Sequence, residues 1–365
     1  MNNPLLDITD LRVYFHSVHG EYKVVDGVDL SVYDGEILGL AGESGCGKST
    51  VVEAIMRLIR PPGYIESGKI IFNPRVEADG GGDARTGWYL EQQLTGGVDL
   101  VTLPDNLLRQ VRWKYISYIP QASMNSLNPI MKVETQMIDV IRAHADLTEA
   151  EARARAAEVL AVAGLPEQVL QAYPHELSGG MKQRVIIANA VTLNPQLIIA
   201  DEPTTALDVN VQRAILEAFL DIRERFHSTI LFVSHDLAVH AQIVDRVAIM
   251  YAGKLVEIEE VHKLFKNPLH PYSERLFGSI PVLGSQRVRL ESILGQAPDR
   301  LNWPSGCRFH PRCPRAMKIC SEVEPPLVEI EAGHRVACHL YYDVSASAVK
   351  GDSSVFSGDR EHANP

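Results

Sequence analysis

EILGLAGESGCGKSTVVEAIMRLI, residues 36–59, decides the fold. Its first seven residues form a near-continuous apolar run ending in glycine, the pattern of a strand buried on both faces of a parallel sheet. Its later part has helical spacing. Strand, glycine turn and helix together open a βαβ unit. Between them, Gly42, Glu43, Ser44, Gly45, Cys46, Gly47, Lys48 and Ser49 fit G-x-x-x-x-G-K-[ST]. The glycines let consecutive N–H groups turn inward around phosphate oxygens, at the positive end of the helix that follows. Lys48 can reach the β- and γ-phosphates, and Ser49, followed by Thr50, offers a hydroxyl to Mg2+. Cys46 reads as a small tolerated side chain, since nothing there requires a nucleophile.

Outward from this loop, LLDITDLRVYF (5–15) alternates as a strand, with Leu6, Ile8, Leu11 and Val13 as its apolar points. DGGGDARTGWYLEQQLTGG (79–97) holds six glycines in nineteen residues and has no period. It reads as a mobile insertion, over about 74–100, in a surface hairpin or loop. From about 104 to 190 the pattern is mostly helical. Thr148 and Glu151 make a capping box for TEAEARARAAEVLAVAG, which Gly164 and Pro166 close. QLIIAD (196–201), STILFVSHD (228–236) and the single run RVAIMYAGKLVE (246–257) return to strand character. A helical block over about 122–190 therefore interrupts an α/β core.

The chain has 365 residues, more than one typical domain of about 100–200. Asp and Glu number 46 against 35 Lys and Arg, giving a net charge of −11. That balance argues against a nucleic-acid-wrapping surface, which needs clustered cations. No run approaches the roughly 18 apolar residues of a membrane span. The start, MNNPLLDITD, lacks the basic and apolar regions of a secretory signal. A cytoplasmic protein is expected, able to dock on something that is not. There is no internal repeat, so one nucleotide-binding unit is expected, and the polar tail 346–365 is expected to be disordered.

A second phosphate-type element is Leu177-Ser178-Gly179-Gly180-Met181-Lys182-Gln183-Arg184. A serine and two glycines heading a helix again build an anion site from backbone amides and a hydroxyl. Seventeen residues past Arg184, LIIADEP is an apolar strand ending in Asp201 and Glu202. Asp201 at the tip can hold Mg2+ through water, and Glu202 can polarise a water for attack on the γ-phosphate. A carboxylate pair ending a buried strand is costly unless it faces a cation.

The glycine loop, the LSGG element, LIIADEPTTALD and VSHD occur in the order of ABC-transporter nucleotide-binding subunits, and residues of about 5–260 resemble that family. The resemblance implies an α/β P-loop NTPase (RecA-like) core with an inserted α-helical subdomain, an antiparallel β subdomain and a Cys-rich C-terminal extension. It implies that Gln121 in SYIPQ contacts Mg2+ and the attacking water and senses the membrane partner. It places Asp208 at a subunit interface and His235 on the γ-phosphate. An aromatic stacks on adenine in this family: Tyr22 is the candidate, with Tyr14 and Phe15 competing. The gap from Lys48 to Gln121, 73 residues, is stretched by the glycine-rich insertion. In the family the LSGG face of one subunit closes over the glycine loop of another, so ATP is sandwiched in a dimer and closure is a ligand-driven motion. ASMNSLNPIM, beside Gln121, would receive a coupling helix from a membrane subunit.

Cys307, Cys313, Cys320 and Cys338 crowd the end of the chain, apart from Cys46. Their spacing leaves a four-cysteine zinc site, an iron–sulfur cluster and free thiols open. NPLHPYSERLFGSIP, GCRFHPRCPRA and VACH resemble the C-terminal extension of oligopeptide/dipeptide-type importer ATPases, in several of which four cysteines hold a [4Fe–4S] cluster. The resemblance implies that these four are its ligands, with zinc as the alternative and His310, His334 and His339 nearby. The expected organisation is a nucleotide-binding domain at 1–262, an extension at 263–345 and the tail.

The resemblance implies an ATP-hydrolysing subunit, peripheral on the cytoplasmic side of the inner membrane, driving peptide uptake. Its partners would be a second ATPase subunit, different or identical, two permease subunits and, indirectly, an extracytoplasmic solute-binding protein. Related importers carry nickel, glutathione or oligosaccharides. A non-transport ABC ATPase would show two fused nucleotide units, a coiled-coil insertion or a basic linker, and the sequence shows none of these.

Overall fold

The computed structural model describes residues 3–75, 96–121, 123–205, 207–278, 293 and 295–342. The central stretch of the glycine-rich insertion and the whole 346–365 tail lie outside the described residues. In chain order the strands are β1 (Leu6–Ser17), β2 (Gly20–Val32), β3 (Ile37–Ala41), β4 (Gly63–Phe72), β5 (Val98–Asp99), β6 (Ile116–Ile119), β7 (Leu197–Asp201), β8 (Thr229–Val233), β9 (Arg246–Tyr251), β10 (Lys254–Glu260), β11 (Val328–Glu331) and β12 (His334–Val336). The helices are α1 (Lys48–Ile55), α2 (Asp105–Lys114), α3 (Val133–His144), α4 (Glu149–Val162), α5 (Gly179–Ala190), α6 (Val209–Phe226), α7 (Leu237–Ile243), α8 (Val261–Lys266), α9 (Pro271–Gly278) and α10 (Lys318–Glu322).

Eight strands form the main sheet in the order β11-β12-β10-β9-β3-β8-β7-β6. From β9 to β6 neighbouring strands are parallel, and β10, β12 and β11 are added antiparallel. β3, β7 and β8 are buried at every residue. Their alternate side chains enter two cores on opposite faces of the sheet. Ile198, Ala200, Ile230 and Phe232 join the core shared with α3, α4, α5 and α6. Leu38, Leu40, Leu231 and Val233 face the core shared with α1, α2 and the small sheet β2-β1-β4-β5. The outcome is a three-layer α/β molecule with a helical unit on one side and an antiparallel sheet on the other.

Several local expectations are met in detail. Thr148 Oγ1 accepts from the Glu151 N–H at 3.3 Å, and the Glu151 carboxylate accepts from the Thr148 N–H at 2.9 Å. Gly164 follows α4 with a φ of 68°, a left-handed conformation that costs glycine little. β4 and β5 pair antiparallel through Phe72 and Val98, so the insertion is carried on the connection between two paired strands.

Two expectations need correcting. RVAIMYAGKLVE is a hairpin, β9 and β10, whose turn residues Ala252 and Gly253 both have positive φ, 48° and 81°. A two-residue turn of this kind matches strand twist, and Ala at its first position hides it from composition. Residues 116–119 are a strand within the stretch read as helical; ISYI is too short to show a period. The Cys-rich extension contributes β11 and β12 to the main sheet through β12 pairing with β10.

Among the described residues no helix is long and apolar enough to cross a membrane. His240, on α7, is fully buried, with Nε2 3.1 Å from the Ser234 carbonyl. Its ring lies where a Cβ on Gly39 of β3 would stand. Burial pushes its pKa down to about 4. The unfolded histidine titrates near 6.5, so below that pH the unfolded chain binds the extra proton first. Stability should therefore fall as pH drops from 6.5 toward 4, with about 3 kcal/mol from this ring at the acid end. Thermal melts from pH 7 to 4 check this: His240→Asn should show a shallower decline than the parent, and an equal slope would refute it.

Candidate functional site

β3 ends at Ala41 and the chain turns at once into the glycine loop, which closes on α1 with Gly47 as its N-cap. Gly42 has φ 147°, and a Cβ there would collide with the Met250 carbonyl. Gly47 has φ 110°, and its Cβ would stand 2.7 Å from the Val24 carbonyl. The loop is therefore wedged between β2 and β9, where glycine alone fits. Lys48 is buried; its Nζ donates to the carbonyls of Gly42 at 2.8 Å and Glu43 at 3.1 Å. The ammonium thus lies across the mouth of the loop, beside Cys46, whose thiol is pushed up by burial.

Asp201 and Glu202 are adjacent yet point apart, as successive residues at a strand end do. Asp201 Oδ1 accepts from Ser49 Oγ at 3.2 Å, and Asp201 adds to the upward shift that burial gives the Tyr118 hydroxyl on β6. Burial pushes Asp201 up to about 6, with the Glu202 charge acting in the same direction, against the Ser49 hydrogen bond and the Lys48 charge. Ser49 and Asp201 thus offer a hydroxyl and a carboxylate side by side, oxygen donors of the kind Mg2+ takes directly or through water.

Glu202 is held in a left-handed conformation, φ 51°, while its N–H still donates to the Val233 carbonyl at 2.9 Å. A non-glycine residue there is strained, and such strain persists where the surroundings over-determine it. Here they do. His235 Nδ1 lies 2.8 Å from both Glu202 carboxylate oxygens, the His235 N–H donates to Oε1 at 3.1 Å, and Thr205 Oγ1 donates to Oε2 at 2.7 Å. The structure thus brings Ser49 with Asp201, and Glu202 with His235.

The remaining sequence candidates sit around this pair. Gln121 is exposed, two residues beyond β6. Ser178 is the exposed N-cap of α5, its Oγ accepting from the Met181 N–H at 3.3 Å, and Gly179 is exposed beside it. Gly180 is buried and packed so close to Val211 of α6 that a Cβ there would collide with it. Asp208 caps α6, its Oδ1 accepting from the N–H groups of Asn210 and Val211. Tyr22 pairs across the β1–β2 hairpin with Phe15, two residues before the Val24 carbonyl that abuts the loop. Tyr14 is buried with its hydroxyl on Asp26 at 2.8 Å, and Phe15 covers Gly63.

Several residues at the site were missed in the sequence. Tyr118 and Thr205 lie close to named motifs, and their hydroxyls were the available signal. Tyr272, Arg300 and Arg312 carried no local signal at all. Tyr272 Oη accepts from the Glu43 N–H, Arg312 pairs with the Glu43 carboxylate, and Arg300 crowds the position of a Gly45 Cβ. All three come from beyond β10.

Cys307, Cys313, Cys320 and Cys338 line one small cavity, together with His270, Phe309 and His339. Cys307 and Cys338 are pushed up to about 11, by burial first and by the neighbouring cysteines second. His339 Nε2 sits 2.8 Å from the Val323 carbonyl, while its Nδ1 is buried without a hydrogen bond. Among the described residues no group of three or more His, Cys, Asp or Glu is placed to hold a metal ion.

Loop, strand tips and sheet order define a P-loop NTPase. Comparison with known proteins narrows that class. The ABC transporter family matches residues 25–205, and the oligopeptide/dipeptide transporter C-terminal region matches residues 256–320. The chain is 40% identical over 339 residues to the dipeptide transport ATP-binding protein DppD of Caldanaerobacter subterraneus subsp. tengcongensis, covering 92% of this chain and 97% of that one. It is 41% identical over 364 residues to the oligopeptide transport ATP-binding protein OppD of Bacillus subtilis, covering 99% of this chain and 95% of that one. A solved bacterial ABC transporter cassette, MJ0796, matches with a TM-score of 0.58 and 25% identity, over 70% of this chain and 98% of that one. The chain belongs to the family of ABC transporter ATP-binding proteins, and it is an ATPase.

Gly47→Ala tests the wedge. The positive φ and the Val24 contact should cost on the order of 1–3 kcal/mol and push the loop out of shape. A melting temperature lowered together with weakened MgADP binding is expected, whereas wild-type values of both would show that the loop has room to spare.

Proposed function

We propose that this chain is the ATP-hydrolysing subunit of an importer carrying di- or oligopeptides across the cytoplasmic membrane, seated on its cytoplasmic side. The observation that supports it most is the pairing of Glu202 with His235 beside Asp201 with Ser49, a full hydrolytic set on a chain that also carries the peptide-transporter C-terminal region. The loop amides of Gly42–Thr50 and Lys48 bind the phosphates of ATP. Ser49, Asp201 and Gln121 hold Mg2+, which neutralises phosphate charge when bound. Glu202 takes a proton from the attacking water, and His235 orients it and meets the γ-phosphate. Tyr22 stacks on adenine.

The exposed Ser178 and Gly179, with Gly180, complete the site of a second ATPase subunit, with Asp208 at the seam. That partner is a different chain or another copy. A cleft lined by Met56, Trp113, Pro120, Leu127, Val140 and Ile186 opens beside Gln121, and Ile130 is 82% exposed nearby. Both features suit a helix from one of two permease subunits, which receive peptide from an extracytoplasmic solute-binding protein. This reading divides the chain into a nucleotide-binding domain at 1–262, an extension at 263–345 and a tail. The all-sulfur donor set of Cys307, Cys313, Cys320 and Cys338 fits a [4Fe–4S] cluster, with a four-cysteine zinc ion as the alternative. Bound there, a cluster would cross-link four segments of the extension.

Glu202→Gln should lower ATP turnover by about 10²–10⁴-fold while MgATP binding persists; unchanged turnover would rule out the assigned base. Transport is tested by co-purifying the complex, identifying its subunits by mass spectrometry and measuring labelled-dipeptide uptake into vesicles. Uptake abolished by Glu202→Gln supports the reading, and ATP-dependent uptake of a non-peptide solute alone would replace it. Iron and acid-labile sulfide in the anaerobically purified protein, lost in Cys307→Ser, are expected for the cluster; zinc or no metal in that sample would exclude it.

A further inference from the structure

The extension that holds the cysteines reaches the phosphate loop most firmly through Arg312, beside Tyr272. Arg312 keeps 8% of its side chain exposed and grips Glu43 with a two-pronged pair, Nη1 to Oε2 at 2.9 Å and Nη2 to Oε1 at 3.1 Å. Nη1 also lies 3.2 Å from the Tyr251 hydroxyl. Glu43 is the second residue of the glycine loop. Its N–H donates to Tyr272 Oη at 2.9 Å, and its carbonyl accepts from Lys48 Nζ at 3.1 Å. Backbone and side chain of Glu43 are both engaged, so the peptide ahead of Ser44 cannot turn without breaking a bond. A planar fork on a carboxylate fixes orientation as well as charge.

The turn that presents Arg312 has a cysteine at each end. The Cys307 N–H donates to the Cys320 carbonyl at 2.8 Å, and the Cys313 N–H donates to the His310 carbonyl at 3.2 Å. Between them Phe309 packs edge-on to Tyr251 and Tyr272, with centroids 5.2 and 5.4 Å away. Cys307 and Cys313 face the four-cysteine cavity, while Phe309 and Arg312 connect to the aromatic pair and the loop beyond. A change at the cysteines therefore has a short, packed route to Glu43.

We propose that Arg312 is a positioning residue of the ATP site: through Glu43 it holds the phosphate loop ready for nucleotide, and it makes nucleotide affinity depend on the four-cysteine extension. The proposal rests on the ATPase reading above. Arg312 acts through Glu43, so its effect falls on affinity more than on turnover of bound nucleotide.

The test is equilibrium binding of MgADP to the full-length protein, with Arg312→Gln, Glu43→Gln, the double variant and Arg312→Lys. Each Gln variant should weaken binding about tenfold, and the double variant should lose no more than the worse single, because both remove one pair. Arg312→Lys, which keeps charge but loses the fork, should fall between. Cys313→Ser should weaken binding in the same direction. Wild-type affinity in Arg312→Gln, or losses that simply add, would overturn the positioning role. Loss in Arg312→Gln with none in Cys313→Ser would overturn the link to the cysteines. Because Glu43→Gln and Arg312→Lys probe the same pair, the test survives poor folding of one variant. A parent protein that binds no MgADP would instead defeat the ATPase reading.

Discussion

Fully buried strands constrain everything else in this molecule. β3, β7 and β8 have no solvent face, so charge can leave the sheet only at their ends. Because these strands are parallel, their C-terminal ends share one edge, and ligands of open α/β sheets bind there. β3 delivers the glycine loop to that edge, β7 delivers Asp201 and Glu202, and β8 leads to His235. The Ser49–Asp201 contact at 3.2 Å spans two strands that are not themselves neighbours, with β8 between them. Parallel register, set by apolar packing on both faces, is what makes that meeting possible.

The two carboxylates at the β7 tip illustrate how a short segment performs two tasks. Asp201 turns toward α1 and is pushed up in pKa by burial, which favours a cation partner. Glu202 takes a left-handed backbone to face His235 and Thr205. The strain of that conformation is offset by the Val233 bond and by the side-chain bonds around the carboxylate. Side-chain convergence and backbone strain therefore meet in the same residue.

Several links join the extension to the core. β12 adds to the edge at β10; His334 lies 2.8 Å from Glu257 and 3.3 Å from Glu259; and Arg308 pairs with Asp26 of β2. Glu257 also accepts from the N–H groups of Leu269 and His270, ahead of α9. Burial lowers the pKa of His334, but the facing carboxylates outweigh it and raise the pKa overall, favouring the charged ring. Buried ionic links of this sort set orientation even where their net stabilisation is small. They bring Tyr272 and Arg312 to the phosphate loop, giving the extension a mechanical bearing on the site.

How much of this was legible depended on distance along the chain. Thr148 and Glu151, three residues apart, announced their capping box, and Gly42 to Ser49 announced the phosphate loop, because hydrogen bonds within one turn leave a local pattern. LIIAD was legible as a buried strand because an apolar run is itself the signal. The β9–β10 turn was hidden by Ala252, and β6 by its brevity. The sequence alone determined the long elements and the local motifs they carry. Only the tertiary structure decided that Tyr272 and Arg312 belong to the loop around Glu43, 229 and 269 residues earlier. The physical reason is that a side-chain bond between distant segments has no period or spacing, and exists only once sheet order has placed both partners at one edge.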